Sequence, residues 1–149
     1  MPDQSSLFKE LTRAESLYRL GSVSLGRIVF THNALPAIRP VNHIVDDSGL
    51  IIRTHHGAAI ISAAVGGVVV AYEADVIDPD TRVGWSVIVI GTARFVTNTE
   101  EISRFHRLLR PWVSEPTMDH VIRIDTKLVT GFELVPGPSE PDSASNRQS

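Results

Sequence analysis

From Val23 to Leu134 the chain is a succession of strand-like runs with too few helices between them to build a parallel sheet. The runs are Val23 to Thr31, Ala37 to Val45, Leu50 to Thr54, Val68 to Ile77, Gly84 to Thr97, His120 to Asp125 and Leu128 to Leu134. All are rich in Val, Ile, Leu and Phe. His32-Asn33-Ala34, Asp46-Asp47-Ser48-Gly49 and Asp78-Pro79-Asp80-Thr81 read as the turns between neighbours. A parallel sheet needs a helix after most strands, and most are missing. About seven strands joined by turns point instead to an antiparallel barrel. Gly84 to Thr97 is apolar on both faces, so it should cross the centre, with Gly91 as the kink that closure requires.

Helices punctuate this pattern. Thr12 and Glu15 form a capping-box pair ahead of a short helix that carries Leu17 and Leu20 on one face and stops at Gly21. Ala58 to Val65 suits a short buried helix of small residues, ended by Gly66-Gly67. Asn98 and Glu101 open another helix with Ile102, Phe105 and Leu109 on one face, stopped by Pro111. A loop holding Trp112 and Pro116 follows. Residues 1–10 read as a flexible start and 136–149 as a disordered tail without apolar periodicity, which leaves one domain over 11–135.

Composition narrows the function. A 149-residue chain that is 42% hydrophobic can fill one core. The net charge of -3 gives no basic surface for nucleic acid, and the absence of cysteine excludes disulfides, thiolate nucleophiles and thiolate metal sites. The first residues lack the basic and apolar regions of a signal peptide. Ile60 to Ala71 is too short to span a bilayer, so a soluble cytoplasmic protein is expected. Pro36 and Pro40 lie within the second strand, so part of that strand must be unpaired on its N–H side and open to a ligand. No phosphate-cradling glycine loop and no Ser-His-Asp spacing appear.

Three stretches in order carry a family resemblance: Ala37-Ile38-Arg39-Pro40-Val41-Asn42-His43; Leu50-Ile51-Ile52-Arg53-Thr54 running into Gly57; and Asp75 through Val87, which holds Asp78-Pro79-Asp80-Thr81-Arg82-Val83-Gly84-Trp85-Ser86, followed by Gly91-Thr92-Ala93. From about Thr12 to Leu134 the chain resembles the pyridoxamine 5′-phosphate oxidase-like family of FMN-binding split barrels, in its flavin-nucleotide-binding branch, which is also similar to nitroimidazole-resistance proteins. The resemblance implies a mainly β split barrel with short helices, a homodimer, and FMN held between the subunits. It places backbone of Arg39, Pro40, Val41 and Asn42 along the isoalloxazine, and Arg53 and Thr54 near the phosphate or ring edge. A guanidinium fork with a hydroxyl donor suits a dianionic phosphate, and the start of the helix after Gly57 adds free N–H groups.

The match departs at one point. Many relatives place Lys or Arg just after that glycine, where this chain has Gly57-Ala58-Ala59-Ile60. His55 and His56 are candidate substitutes. A deazaflavin such as F420, or haem with a histidine as axial ligand, is the alternative cofactor.

Each residue also has a plainer reading. Arg39 can be a solvated strand residue, Asn42 can cap a bulge, and Trp85 with Ser86 can fill core or interface instead of flanking the ring. His43, His55 and His56 read as loop or ligand-edge residues, not a metal site. No acid or base stands out, which fits chemistry carried by a cofactor. The expected function is a flavin-dependent oxidoreductase acting on a small molecule. The alternatives are a non-catalytic module that stores or senses a flavin, deazaflavin or haem, and a dimer whose site has decayed.

Overall fold

Thr12 and Glu15 close the predicted reciprocal cap in the computed structural model of the chain. It describes residues 7–54, 58–110 and 120–137, with backbone only at 58, 59, 61 and 63. The Thr12 hydroxyl accepts from Glu15 N (3.1 Å), and the Glu15 carboxylate accepts from Thr12 N (2.8 Å). Eleven elements follow the chain: β1 (Leu7–Leu11), α1 (Arg13–Gly21), β2 (Leu25–His32), β3 (Leu35–Asp46), β4 (Gly49–Thr54), α2 (Ala58–Gly66), β5 (Val69–Ile77), β6 (Gly84–Phe95), α3 (Thr99–Leu108), β7 (His120–Ile124) and β8 (Leu128–Val135). None of the described helices is long and apolar enough to cross a membrane.

All strand pairs are antiparallel, in the order β1-β8-β6-β5-β2-β3-β4-β7, and a further β6–β7 pairing closes β6, β5, β2, β3, β4 and β7 into a six-stranded barrel. The closure depends on how β6 divides one of its edges. Gly84 to Ile90 pair with β8, while Ala93 to Phe95 pair with β7. The changeover falls at Gly91 and Thr92, where Asp125 of the β7–β8 connection crosses, its N–H donating to Thr92 O (3.1 Å). Gly91 is therefore the central glycine the long strand called for. Its role is to admit a crossing backbone: a Cβ there would stand 1.8 Å from Asp125 O.

Inward alternation along the strands builds the main core from Ile28, Tyr72, Val87, Val89, Ile52 and Ile124, each no more than 1% exposed. Burial of each such side chain contributes about 1.5–3 kcal/mol. A second, smaller cluster lies outside the barrel wall. There Phe105 and Leu109 of α3 and its exit cover Ile51, Val96 and Val121. The Asn98 side chain caps α3 by accepting from Glu101 N (3.0 Å).

One strand was not legible in the sequence, and the expected His32-Asn33-Ala34 turn has a geometry the sequence did not reveal. Leu7–Leu11 pairs with β8 as an extra strand where a loose start was expected. The β2–β3 turn places Asn33 and Ala34 at φ 51° and 63°, the left-handed geometry of a two-residue hairpin turn. Alanine carries a steric penalty there that glycine lacks. Ala34→Gly is expected to stabilise the fold by about 0.5–1 kcal/mol, read as a higher urea midpoint; a lowered midpoint would contradict the turn geometry. The loop with Trp112 and Pro116, the Pro111 stop and the tail beyond residue 137 lie outside the described residues.

Candidate functional site

The open strand edge anticipated from the two prolines is present on β3. His43 N donates to Ser24 O (2.8 Å), so odd-numbered residues of β3 direct their backbone groups toward β2. Even-numbered residues direct theirs the other way. There β4 pairs only with Asn42 to Asp46, and among the described residues no strand pairs with Leu35 to Val41 on that side. Pro36 and Pro40 lack an N–H. The edge thus presents the Ile38 N–H among the carbonyls of Pro36, Ile38 and Pro40. Arg39, exposed, donates from Nη1 to Ile38 O (2.9 Å).

Where pairing resumes, Asn42 and Arg53 stand opposite each other. Both reach the carbonyl end of α3. Arg53 Nη1 donates to Leu109 O (2.6 Å) and His106 O (3.2 Å), and Asn42 Nδ2 donates to Arg110 O (2.7 Å). The last carbonyls of a helix lack intrahelical partners and carry the negative end of its dipole, so a guanidinium suits them. Thr54 is the next residue, buried at the end of β4. The structure therefore brings Arg39, Pro40, Asn42, Arg53 and Thr54 together along one strand end and its neighbour.

The other candidates stand apart. Val41 points into the main core, and its carbonyl lies 3.3 Å from the Tyr72 hydroxyl. Trp85 is also buried in that core, 6% exposed. Ser86 lies on the outer face of β6, opposite Asp75 and Phe132. Two strands, β5 and β2, separate β6 from β3.

His43 is not a ligand-edge residue. It is 1% exposed, and both ring nitrogens are engaged: Nδ1 with the Tyr72 hydroxyl and Nε2 with Leu20 O (2.8 Å). These contacts leave neither nitrogen for a haem iron. His55 and His56 lie outside the described residues. No group of three His, Asp or Glu able to hold a metal occurs among the described residues. Tyr72 itself fits because residue 26 is glycine; a Cβ there would stand 2.5 Å from the phenol ring.

Burial lowers the pKa of His43 and raises that of Tyr72. The histidine is thus neutral in the fold, while the unfolded chain protonates near its ordinary value of 6.5. Stability from this site is present above that pH and is lost as pH falls through it. Tyr72→Phe leaves His43 Nδ1 without its partner, and a loss of about 1–3 kcal/mol is expected in chemical denaturation. An unchanged midpoint would mean the hydroxyl contributes nothing.

A second feature is the outer face of β5, β6 and β8, where Val69, Ile88, Ile90, Leu128 and Phe132 are all exposed. Cross-strand register places Ala71, Ile90 and Leu128 in one row, and Glu73, Ile88 and Thr130 in the next. Exposed apolar side chains are thus gathered on this one face of the sheet.

Sequence reasoning missed the acceptors of Arg53 and Asn42. They lie 53 to 68 positions away, and no local pattern signals them. It also missed Tyr72, whose one visible sign was glycine at position 26.

Similarity to known proteins points the same way as this geometry. The family model for pyridoxamine 5′-phosphate oxidase matches residues 12–133. An uncharacterized protein of Mycobacterium tuberculosis is 49% identical over 138 residues, covering 90% of both chains. Among solved structures, an FAD binding protein from Mycobacterium smegmatis is 34% identical with a TM-score of 0.72, covering 87% of this chain and 100% of its own. An FAD and heme binding protein from the same organism shares the fold at 15% identity and a TM-score of 0.67, over 95% of this chain and 80% of its own. The match spans both the barrel and the strand edge described above, and the chain belongs to the pyridoxamine 5′-phosphate oxidase family.

Proposed function

We propose that the chain binds a flavin nucleotide along the open edge of β3 and acts as a flavin-dependent oxidoreductase on a small molecule. The observation that carries this reading is the donor set itself. The polar edge of an isoalloxazine alternates acceptors with one N–H. The β3 edge can meet it with one pair of contacts, the Ile38 N–H donating to a ring acceptor and a neighbouring strand carbonyl accepting from the ring N–H. Arg39 borders that edge, and Arg53 and Thr54 stand beside it to meet a phosphate. The residues present therefore fit the group. FMN is the smallest ligand that satisfies them, and FAD contains the same ring and first phosphate. The 34% identical structure is of an FAD binding protein, which supports a flavin here.

When bound, the flavin supplies hydride or electron transfer. The chain's own residues position the ring, neutralise the phosphate and keep water from one face. We further propose a homodimer in which the exposed apolar wall of β5, β6 and β8 meets a second copy.

The test is the absorption spectrum of the purified protein, with thermal midpoints recorded against FMN and FAD in parallel. A ligand bound a hundredfold above its Kd stabilises by about 2.7 kcal/mol, so a clear rise in midpoint is expected. A colourless protein whose midpoint moves with neither flavin would defeat the proposal. A second reading, a non-catalytic module for a flavin, deazaflavin or haem, is favoured by one observation: alanine at positions 58 and 59, where the family resemblance leads one to expect a cation. Tight binding without reduction by a nicotinamide hydride donor would select it.

A further inference from the structure

A charged cluster borders the apolar wall along its β5–β2 side. Arg27 of β2 faces Glu73 of β5 in register, with Asp75 two residues further along the same strand and on the same face. Arg27 Nη1 lies 3.2 Å from Glu73 Oε1 and 3.6 Å from Asp75 Oδ2. One guanidinium therefore serves two carboxylates. The side chains of Arg27, Glu73 and Asp75 are 42%, 27% and 34% exposed, so the cluster is half-buried before any partner arrives. Its other cross-strand neighbours do not titrate: Pro40 beside Arg27, Ile88 beside Glu73 and Ser86 beside Asp75, with Thr130 and Phe132 beyond them on β8.

This inference rests on the reading that the wall meets a second copy. We propose that the homodimer takes up protons as it forms, because pairing covers the Arg27–Glu73–Asp75 cluster and one carboxylate in each copy must become neutral. The chemistry is that of two close carboxylates with a single counter-charge. Removing the remaining water penalises the surplus negative charge, and a proton shared between Glu73 and Asp75 removes it. A two-fold interface brings two such clusters out of water together. Glu73 is already pushed up to about 7, chiefly by desolvation and then by Asp75, against the opposing pull of Arg27. Covering it raises the value further. A group whose pKa rises on association favours the associated state at low pH, and that preference fades as pH climbs past the free value.

The test is sedimentation equilibrium of the full chain at about pH 6 and about pH 8, with Glu73→Gln alongside. Glutamine copies the neutral acid without titrating. The wild-type dimer is expected to weaken between about tenfold and about a hundredfold in Kd between the two pH values, the upper figure being the full reach of two linked protons over that interval. Glu73→Gln should hold one Kd at both. Asp75→Asn, which removes the neighbour that raises Glu73, should move the wild-type transition to lower pH. A wild-type dimer with the same Kd at both pH values overturns the proton linkage and leaves the dimer standing. A monomer at every concentration and pH overturns both. A Glu73→Gln variant that keeps the full pH dependence overturns the assignment to this cluster.

Discussion

Gly91→Ala is expected to cost the fold about 4 kcal/mol or more, a large share of the roughly 5–15 kcal/mol that holds a typical domain folded. The reason is the crossing at the split of β6. A Cβ at position 91 would stand 1.8 Å from Asp125 O and 2.8 Å from Asp125 C, both backbone atoms with no rotamer to yield. Relief would require moving the β7–β8 connection outward. That movement breaks the Asp125 N–H to Thr92 O bond and loosens the β6–β7 pairing that closes the barrel. The control is Gly21→Ala at the end of α1, where a Cβ would meet Val45 at an ordinary 3.7 Å. It should be neutral or slightly stabilising, since alanine loses less chain entropy on folding. Urea midpoints of the two variants decide the matter. A Gly91→Ala protein within about 1 kcal/mol of wild type would show that the crossing backbone has slack, and the account of closure would be wrong.

Arg53→Ala is the second large effect, and two readouts separate its two roles. Losing charged hydrogen bonds to Leu109 O and His106 O should lower stability by about 1.5–3 kcal/mol, seen in denaturant titration. If Arg53 also meets the flavin phosphate, flavin affinity should fall at least tenfold at a temperature where the variant is fully folded. Arg53→Lys sharpens the comparison. An ammonium can satisfy one carbonyl but cannot present a planar fork, so part of the stability should return while the affinity stays low. A variant that loses stability but binds flavin as tightly as wild type would leave Arg53 as a helix anchor alone. The phosphate contact would then have to be sought elsewhere on the chain.

These two residues show why some of the architecture was legible in the sequence and some was not. Caps are local, so Thr12 with Glu15 and Asn98 with Glu101 announced α1 and α3 within three positions. Proline is legible wherever it falls, because a missing N–H restricts which strand edge it can occupy. Pro36 and Pro40 thus mark the open edge of β3 in the sequence itself. Gly91 was legible as a special position, but its cause is a contact with residue 125, which no window around it contains. Arg53 was picked out by resemblance for a phosphate, and the structure adds the end of α3 as its anchor. β1 escaped notice because four of its five residues are exposed and so show no inward alternation.

His43 escaped in a different way. Its position among candidate ligand residues suggested an accessible imidazole, and only tertiary packing reveals that Tyr72 and Leu20 consume both nitrogens. The main core closes around that pair, so the histidine belongs to stability and not to ligand recognition.

The prolines of β3 have one more consequence, for the protein as a solute at high concentration. A bare strand edge invites any other strand to zip onto it, the first step of aggregation. With residues 36 and 40 unable to donate, an incoming strand finds a single N–H over that stretch and cannot continue the ladder. A small planar molecule needs only one donor and the carbonyls around it. The same two residues thus keep the edge open to a compact ligand and closed to a polypeptide.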